Sequence, residues 1–132
     1  MARILVVDDE EKMQALLAKS LERQGHELRR ASDGVAAVAI LEEFPADVVF
    51  SDLRMPGLDG MDVLKTIKNR WPECEVVVIT GYPTLETAKE AVRLGAQNYL
   101  AKPVGPDDVI RAASEAMTHK RWAIHSESTL TH

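Results

Sequence analysis

Short, continuous apolar runs alternate along this chain with longer stretches in which apolar residues recur at helical spacing. The runs are rich in β-branched residues and predict buried strands. We place them at residues 4–7, 47–51, 76–79 and 98–101, and we add a polar edge strand over 26–31. The longer stretches predict helices over 11–23, 34–43, 59–71, 84–94 and 105–119. Strict alternation of strands and helices indicates a parallel sheet covered by helices on both faces.

Residues suited to helix boundaries stand where the pattern changes. Short polar side chains that can accept a hydrogen bond from the first turn precede several of the predicted helices. The candidate N-caps are Ser32 or Asp33, Asp59 and Thr84. The helix over 34–43 carries Val35, Val38 and Leu41 as its apolar residues.

The composition favours one folded domain. The 132 residues are 45% apolar and 28% charged, which is typical of globular proteins rather than disordered ones. The 16 basic and 21 acidic residues give a net charge of −5, which argues against a nucleic-acid-binding surface as the main function. No apolar run approaches the roughly 18 residues of a membrane span, and the N-terminus lacks a secretory leader, so we expect a cytoplasmic protein. The single cysteine, Cys74, is interpreted as a structural or surface thiol.

Chemically active side chains follow the predicted strands at the point where each one ends. Asp8 and Asp9 follow the first strand and Asp52 the third, whereas Thr80 and Lys102 follow the fourth and fifth. In an open sheet of this kind, function gathers at the carboxyl ends of the strands. We therefore expect three carboxylates, a hydroxyl group and an ammonium group to meet at one edge.

Three carboxylates at one place repel one another, because two unit charges 4 Å apart interact by about 4 kcal/mol at an effective dielectric constant of 20. Either one of them takes up a proton or a cation lies among them. Mg²⁺ suits the site, since it prefers oxygen ligands and is commonly held by a few carboxylates, phosphate oxygens and water. With Lys102 as a second positive charge, the site can receive a dianionic phosphoryl group.

Asp52 is the candidate nucleophile for phosphoryl transfer. It stands alone at the end of a central strand and is followed by a Pro-Gly loop that leaves room for a phosphodonor. A carboxylate nucleophile gives an acyl phosphate, and the protein then mainly positions groups and neutralises charge. Asp8 and Asp9 are adjacent and point in different directions, so one can bind the metal directly and the other through water. Each of these residues alone has an ordinary structural explanation, and only their joint placement points to function.

At these residues the chain resembles the CheY-like receiver domains of two-component signalling. The resemblance covers about residues 2–119 and implies a flavodoxin-like (βα)5 sandwich with a five-stranded parallel sheet in the order 2-1-3-4-5. It is carried by VVDDE at 6–10, SDLRMPGLDG at 51–60, ITG at 79–81 and YLAKP at 99–103. Residues 80–88 are similar to the receivers of NtrC-type transcription activators, in which the position of Pro83 more often holds a small residue.

The resemblance implies a phosphoacceptor signalling domain, rather than an enzyme, that assists its own phosphorylation and dephosphorylation. Asp52 would accept the phosphoryl group from a phosphohistidine of a sensor histidine kinase. Mg²⁺ would be bound by the side chains of Asp9 and Asp52 and by the backbone carbonyl of Arg54, with Asp8 assisting through water. Lys102 would contact the phosphoryl oxygens.

The resemblance also implies a conformational switch. The Thr80 hydroxyl would swing toward the phosphate and Tyr99 would follow by moving inward. The face formed by residues 84–118 would then change shape and serve as a homodimer or output surface. The Lys102–Pro103 peptide bond is expected to be cis, as in the family, although only about 5–6% of X–Pro bonds in folded proteins are.

The C-terminal residues 120–132 lose the helical pattern, and we expect a frayed tail or the start of a linker. No ATPase or DNA-binding sequence follows, so the chain is expected to be either a lone receiver or part of a longer regulator. The output domain or partner protein is not identified, and contact with nucleic acid or membrane is not expected.

Three other interpretations fit the sequence less well. A haloacid-dehalogenase-type phosphatase also uses Asp and Mg²⁺, but its nucleophile is the first Asp of an Asp-x-Asp pattern, whereas Asp8 and Asp9 are adjacent. A flavodoxin-like binding module needs a phosphate loop after the first strand, where this chain carries only acids at 8–11. A degenerate receiver that acts only in dimerisation is disfavoured by the full set of site residues.

Overall fold

The computed structural model describes residues 1–53 and 59–130, with side chains as far as Trp122. Strands and helices alternate throughout these residues. The strands are β1 Arg3–Val7, β2 Glu27–Ala31, β3 Val48–Asp52, β4 Glu75–Thr80 and β5 Asn98–Ala101. The helices are α1 Glu11–Glu22, α2 Gly34–Glu43, α3 Gly60–Arg70, α4 Leu85–Arg93 and α5 Pro106–Leu130.

The strands form one parallel sheet in the order β2-β1-β3-β4-β5. This confirms the predicted fold class and places the polar β2 at an edge, as its sequence indicated. The order brings β3 to the centre of the sheet, with β1 and β4 as its neighbours. The carboxyl ends of the three strands that carry most of the acidic and hydroxyl candidates therefore lie side by side.

Successive residues along each inner strand pack on opposite faces of the sheet. Ile4 and Val6 of β1 belong to the core beneath α1 and α5, whereas Leu5 and Val7 belong to the core beneath α2 and α3. Burying an aliphatic side chain of this size stabilises the fold by about 1.5–3 kcal/mol. Because both faces are covered, the inner strands are continuous apolar runs, and this is why the sequence pattern identified them.

Three helices begin at the predicted caps. The carboxylate of Asp33 accepts a hydrogen bond from the N–H of Ala36, so Asp33 rather than Ser32 caps α2. The side chains of Asp59 and Thr84 accept hydrogen bonds from the first turns of α3 and α4. Each cap satisfies a backbone donor that would otherwise lack a partner in the helix.

Two features of the helices differ from the sequence-based expectation. Val35 is 67% exposed, because the buried side of α2 is formed by Gly34, Ala37 and Leu41, and Val35 lies one residue out of phase with them. Helix α5 continues to Leu130, well past the expected end near residue 119. Its last turns lie beyond the apolar repeat that packs on the sheet, so the amphipathic pattern ends before the helix does. Even this 25-residue helix lacks the apolar length needed to cross a membrane, as do the shorter helices of the described residues.

Candidate functional site

Backbone hydrogen bonds continue past the strand ends and fix the residues that follow them. The N–H of Asp8 donates to the carbonyl of Ala31 at 3.1 Å, and the N–H of Lys102 donates to the carbonyl of Thr80 at 2.8 Å. Asp52 is itself the last residue of β3. The sheet thus holds these side chains at one edge, as the positions of the strand ends predicted.

Lys102 joins the acidic side chains of this edge. Its ammonium Nζ lies 3.1 Å from Oδ2 of Asp52 and 3.3 Å from Oδ2 of Asp8. Both carboxylates are buried, with side chains 5% and 2% exposed. Residues separated by up to 94 positions in sequence therefore meet in one charged centre.

Four carboxylates surround this centre. Asp8, Asp9, Glu10 and Asp52 each offer an oxygen atom, and these atoms all lie within 4.8 Å of one another. A compact set of carboxylate oxygens without nitrogen or sulfur ligands fits a hard cation such as Mg²⁺. Asp9, like Glu10, is exposed, so solvent can reach the outer side of the cluster. The predicted carbonyl ligand at Arg54 lies outside the described residues.

Burial and neighbouring charges shift the pKa values of two groups in the site. Burial raises the pKa of the Asp8 carboxyl group, and the negative charge of Asp52 adds to the effect, although a backbone hydrogen bond and Lys102 oppose it. Burial alone would lower the pKa of Lys102. The hydrogen bond and charge of Asp52, together with Asp8, outweigh burial and raise that pKa, so Lys102 is firmly protonated. An acidic site of this kind favours a cation that can share its charge.

Asp8 is held in place from two directions. The N–H of Glu10 donates to Oδ1 of Asp8 at 2.8 Å. The side-chain amide of Gln14, in α1, donates to the carbonyl of Asp8 at 2.6 Å and to that of Ala31 at 3.1 Å. Because Gln14 is buried, these bonds tie the loop after β1 to the first turns of α1.

The backbone around Asp52 is in close contact with the start of α3. The N–H of Gly60 donates to the carbonyl of Leu53 at 3.1 Å. A Cβ atom at position 60 would lie 2.6 Å from the carbonyl oxygen of Asp52 and closer still to the Cα of Leu53. Only glycine fits there, and α3 is thereby seated directly on the segment that carries Asp52.

The side-chain hydroxyl groups of the two predicted switch residues have hydrogen-bond partners outside the acidic cluster. Thr80 is buried, and its hydroxyl oxygen accepts a hydrogen bond from the N–H of Tyr82 at 3.1 Å. Tyr99 is half-buried, and its hydroxyl group lies at the start of α4, 2.6 Å from that of Thr87. The Lys102–Pro103 peptide bond is cis, as the resemblance implied.

Sequence reasoning missed three residues that shape the site: Glu10, Gln14 and Gly60. Glu10 was included in the motif at 6–10 and in the acidic run at 8–11 but was given no role, although its position beside the Asp pair was a usable signal. Gln14 gave no signal, and Gly60 entered only as the last residue of the motif at 51–60, because a buried amide and a close backbone approach become evident only when α1 and α3 are packed in place.

Comparison with known proteins adds a family and several relatives. Residues 4–114 match the family described as response regulator receiver domain. The chain is 33% identical over 132 residues to the regulatory protein AtoC of Escherichia coli K12, and 38% identical over 128 residues to the transcriptional regulatory protein ZraR of Klebsiella oxytoca. The alignments cover 98% and 97% of this chain but 29% and 28% of the relatives, so the chain spans less than a third of their length.

Comparison of the fold with solved structures finds proteins of the same family. The receiver domain of NtrX from Brucella abortus is 40% identical, with a TM-score of 0.83 and coverage of 87% of this chain and 98% of that one. Together with AtoC and ZraR, this neighbour confirms the predicted similarity to receivers of NtrC-type regulators.

Proposed function

This chain belongs to the family of response regulator receiver domains, and from that premise we propose that Asp52 accepts a phosphoryl group from a sensor histidine kinase. The transfer depends on Mg²⁺ and takes place in the cytoplasm. Phosphorylation then changes a surface of the domain that controls transcription through an output domain or partner protein. The observation that supports this most strongly is the contact of Lys102 Nζ with the buried carboxylate of Asp52, 3.1 Å away, inside a cluster of carboxylates.

The proposed step is a transfer between nucleophiles. A carboxylate oxygen of Asp52 attacks the phosphorus atom, an O–P bond forms, and the P–N bond of the kinase phosphohistidine breaks. The electron pair of the broken bond stays on the imidazole nitrogen, so the step balances without an added oxidant or reductant. Lys102 stabilises the negative charge of the phosphoryl oxygens from its position beside Asp52.

Mg²⁺ has a defined place in this proposal. The side chains of Asp9 and Asp52 and the carbonyl of Arg54 would hold it directly, and Asp8 would assist through water. When bound, Mg²⁺ neutralises part of the charge of the carboxylates and of the incoming phosphoryl group. The protein contributes the oxygen donors and the rigid strand ends that keep them together.

The proposed switch links the phosphoryl group to α4. The Thr80 hydroxyl turns to donate to a phosphoryl oxygen, and Tyr99 moves into the space that it leaves. Tyr99 must then release its hydrogen bond to Thr87, which changes the face formed by residues 84–118. Leu85 and Val92 of α4 are 71% and 65% exposed on this part of the domain. We propose this face as the surface for a homodimer or for the output partner.

The test uses a small phosphodonor, so that no kinase is needed. The protein is incubated with acetyl phosphate and Mg²⁺, and the covalent adduct is measured by intact mass. We expect an acid-stable, alkali-labile adduct that disappears on chelation of Mg²⁺ and in Asp52→Asn. Asp62→Asn, an exposed carboxylate of α3 outside the cluster, should keep the adduct. An adduct that persists in Asp52→Asn would contradict the assignment.

A further inference from the structure

Lys102 has a third carboxylate partner that the proposed function does not use. Its ammonium Nζ lies 3.3 Å from Oε1 of Glu10, a distance equal to its separation from Asp8. The side chain of Glu10 is 67% exposed, whereas those of Asp8 and Asp52 are buried. Glu10 is therefore the outermost of the three acids that Lys102 contacts.

The direction of the Glu10 side chain has no local explanation in α1. Glu10 occupies the N-cap position of that helix, yet its side chain makes no capping hydrogen bond. Its backbone is fixed independently, since its N–H donates to Asp8 and its carbonyl accepts from the N–H of Gln14 at 3.1 Å. The carboxylate is thus free of a capping role and lies against Lys102.

The ion pair with Glu10 occupies one of the few N–H donors of Lys102. A lysine ammonium group has three N–H donors, and each of the carboxylates of Asp8, Asp52 and Glu10 accepts from it. A phosphoryl oxygen on Asp52 can bind Lys102 only by taking the place of one of these acceptors. The ion pair with the exposed Glu10 is the weakest of the three, because exposed ion pairs contribute little whereas buried charges depend strongly on their partners.

We propose that Glu10 is a positioning residue that holds Lys102 before phosphorylation and yields its place to the phosphoryl group. This inference rests on the proposed function of Asp52. Glu10 competes with the phosphoryl oxygens for one donor of Lys102, and its negative charge opposes the charge that arrives. It therefore raises the activation barrier for transfer of the phosphoryl group to Asp52 and slows that transfer.

The chain offers a matched control for this role. Glu11 is the next residue, is exposed, and lies in the first turn of α1, but it does not belong to the acidic cluster. Glu10→Gln and Glu11→Gln change the net charge equally, but only Glu10→Gln removes the ion pair with Lys102. A difference between the two variants therefore reports on that ion pair. Glu10→Asp keeps the charge but shortens the reach, and it separates the contact from the general field of the acid.

The first measurement is the rate of adduct formation with acetyl phosphate at a Mg²⁺ concentration that saturates each variant. We expect Glu10→Gln to raise the rate about two- to fivefold, the change that corresponds to loss of an exposed ion pair. Glu10→Asp should raise it by a smaller factor, and Glu11→Gln should match the unaltered protein. A Glu10→Gln rate that equals or falls below the rate of Glu11→Gln would overturn the inference while leaving Asp52 as the acceptor.

The second measurement needs neither metal nor phosphate. In the metal-free protein, NMR reports the exchange of the Lys102 ammonium protons with water. Glu10→Gln should accelerate this exchange and Glu11→Gln should not, whereas equal exchange in both variants would show that Glu10 does not hold Lys102. Absence of any adduct in the unaltered protein would instead overturn the proposed function, which makes the two failures distinguishable.

Discussion

The hydroxyl group of Tyr99 lies 2.6 Å from that of Thr87, and it also accepts a hydrogen bond from the N–H of Thr84 at 3.3 Å. Tyr99 belongs to β5, and the two threonines belong to the cap and first turn of α4. This helix has a single buried residue among those the structure describes, Ala91, so few apolar contacts hold it in place. The hydroxyl cluster is therefore a main link between the start of α4 and the sheet.

Removal of the hydrogen bond between the hydroxyl groups of Thr87 and Tyr99 should weaken the attachment of α4 to the sheet. We expect Thr87→Val to lower the free energy of unfolding by about 1 kcal/mol, the usual net contribution of one hydrogen bond. Tyr99→Phe removes the same bond from the other side, so the double variant should cost less than the sum of the two single changes. Urea unfolding of the four proteins measures this coupling. Strictly additive losses would show that the two hydroxyl groups do not interact in solution.

The close contact beneath Asp52 predicts a penalty for any side chain at position 60. In Gly60→Ala, the new methyl group meets the backbone of Asp52 and Leu53, and we expect a loss of about 1–3 kcal/mol in unfolding free energy. Adduct formation on Asp52 should slow as well, since α3 must shift away from it. Gly105→Ala is the control, because a Cβ there meets nothing nearer than 3.7 Å. Equal stability of the two variants would contradict the packing at the start of α3.

His26 predicts a pH dependence of stability that is unrelated to the acidic site. Its Nδ1 accepts a hydrogen bond from the N–H of Ala2 at 3.0 Å, which requires the neutral ring. Burial lowers the pKa of His26 below its ordinary value of 6.5, and the N-terminal ammonium group lowers it further. Because the folded pKa is the lower one, the stabilisation is complete above pH 6.5 and is lost as the pH falls through the folded pKa.

The corresponding measurement compares the unaltered protein with His26→Gln, which cannot titrate. We expect the difference in unfolding free energy between them to shrink as the pH falls from about 7.5 to 5.5. Asp47, whose pKa is held below its ordinary value of 3.8 by Arg3 and Lys120 in spite of burial, titrates below this window. A difference that is constant with pH would mean that His26 does not titrate differently in the folded state.

Cys74 predicts a thiol that is inert until the protein unfolds. It is buried immediately before β4, and burial raises the pKa of its thiol to about 12. At pH 8 only roughly one thiol in 10⁴ is then ionised, and the thiolate is the reactive form. Alkylation by iodoacetamide should therefore be very slow in buffer and rapid in urea. Fast modification of the native protein would contradict the burial of this side chain.

The continuous apolar strands explain why much of the fold could be predicted. Val48 to Asp52 and Val76 to Ile79 are buried on both faces, so their apolar composition identified the two strands. Once the strands were located, the candidate site residues at their ends were located as well. Asp8, Asp52 and Lys102 meet because parallel strands share one carboxyl edge, which is a property of topology rather than of detailed packing. This is the part of the site for which sequence is sufficient.

The remainder depends on three-dimensional packing. Val35 is one of the apolar residues of the predicted helix over 34–43, but the phase of a short helix is set by its contacts, and here Ala37 and Leu41 face the core. The close approach of Gly60 to Asp52 depends on the placement of α3, and the contact of Glu10 with Lys102 depends on side-chain direction. The length of α5 exceeds its apolar repeat, so periodicity located the start of this helix but not its end.

The most direct test of the central proposal is to locate the phosphoryl group on the chain. After incubation with acetyl phosphate and Mg²⁺, borohydride reduces an aspartyl phosphate to homoserine, and tandem mass spectrometry of the peptides identifies the changed residue. The account predicts homoserine at Asp52 alone. Homoserine at Asp8 or Asp9 instead, with Asp52 unmodified, would contradict it.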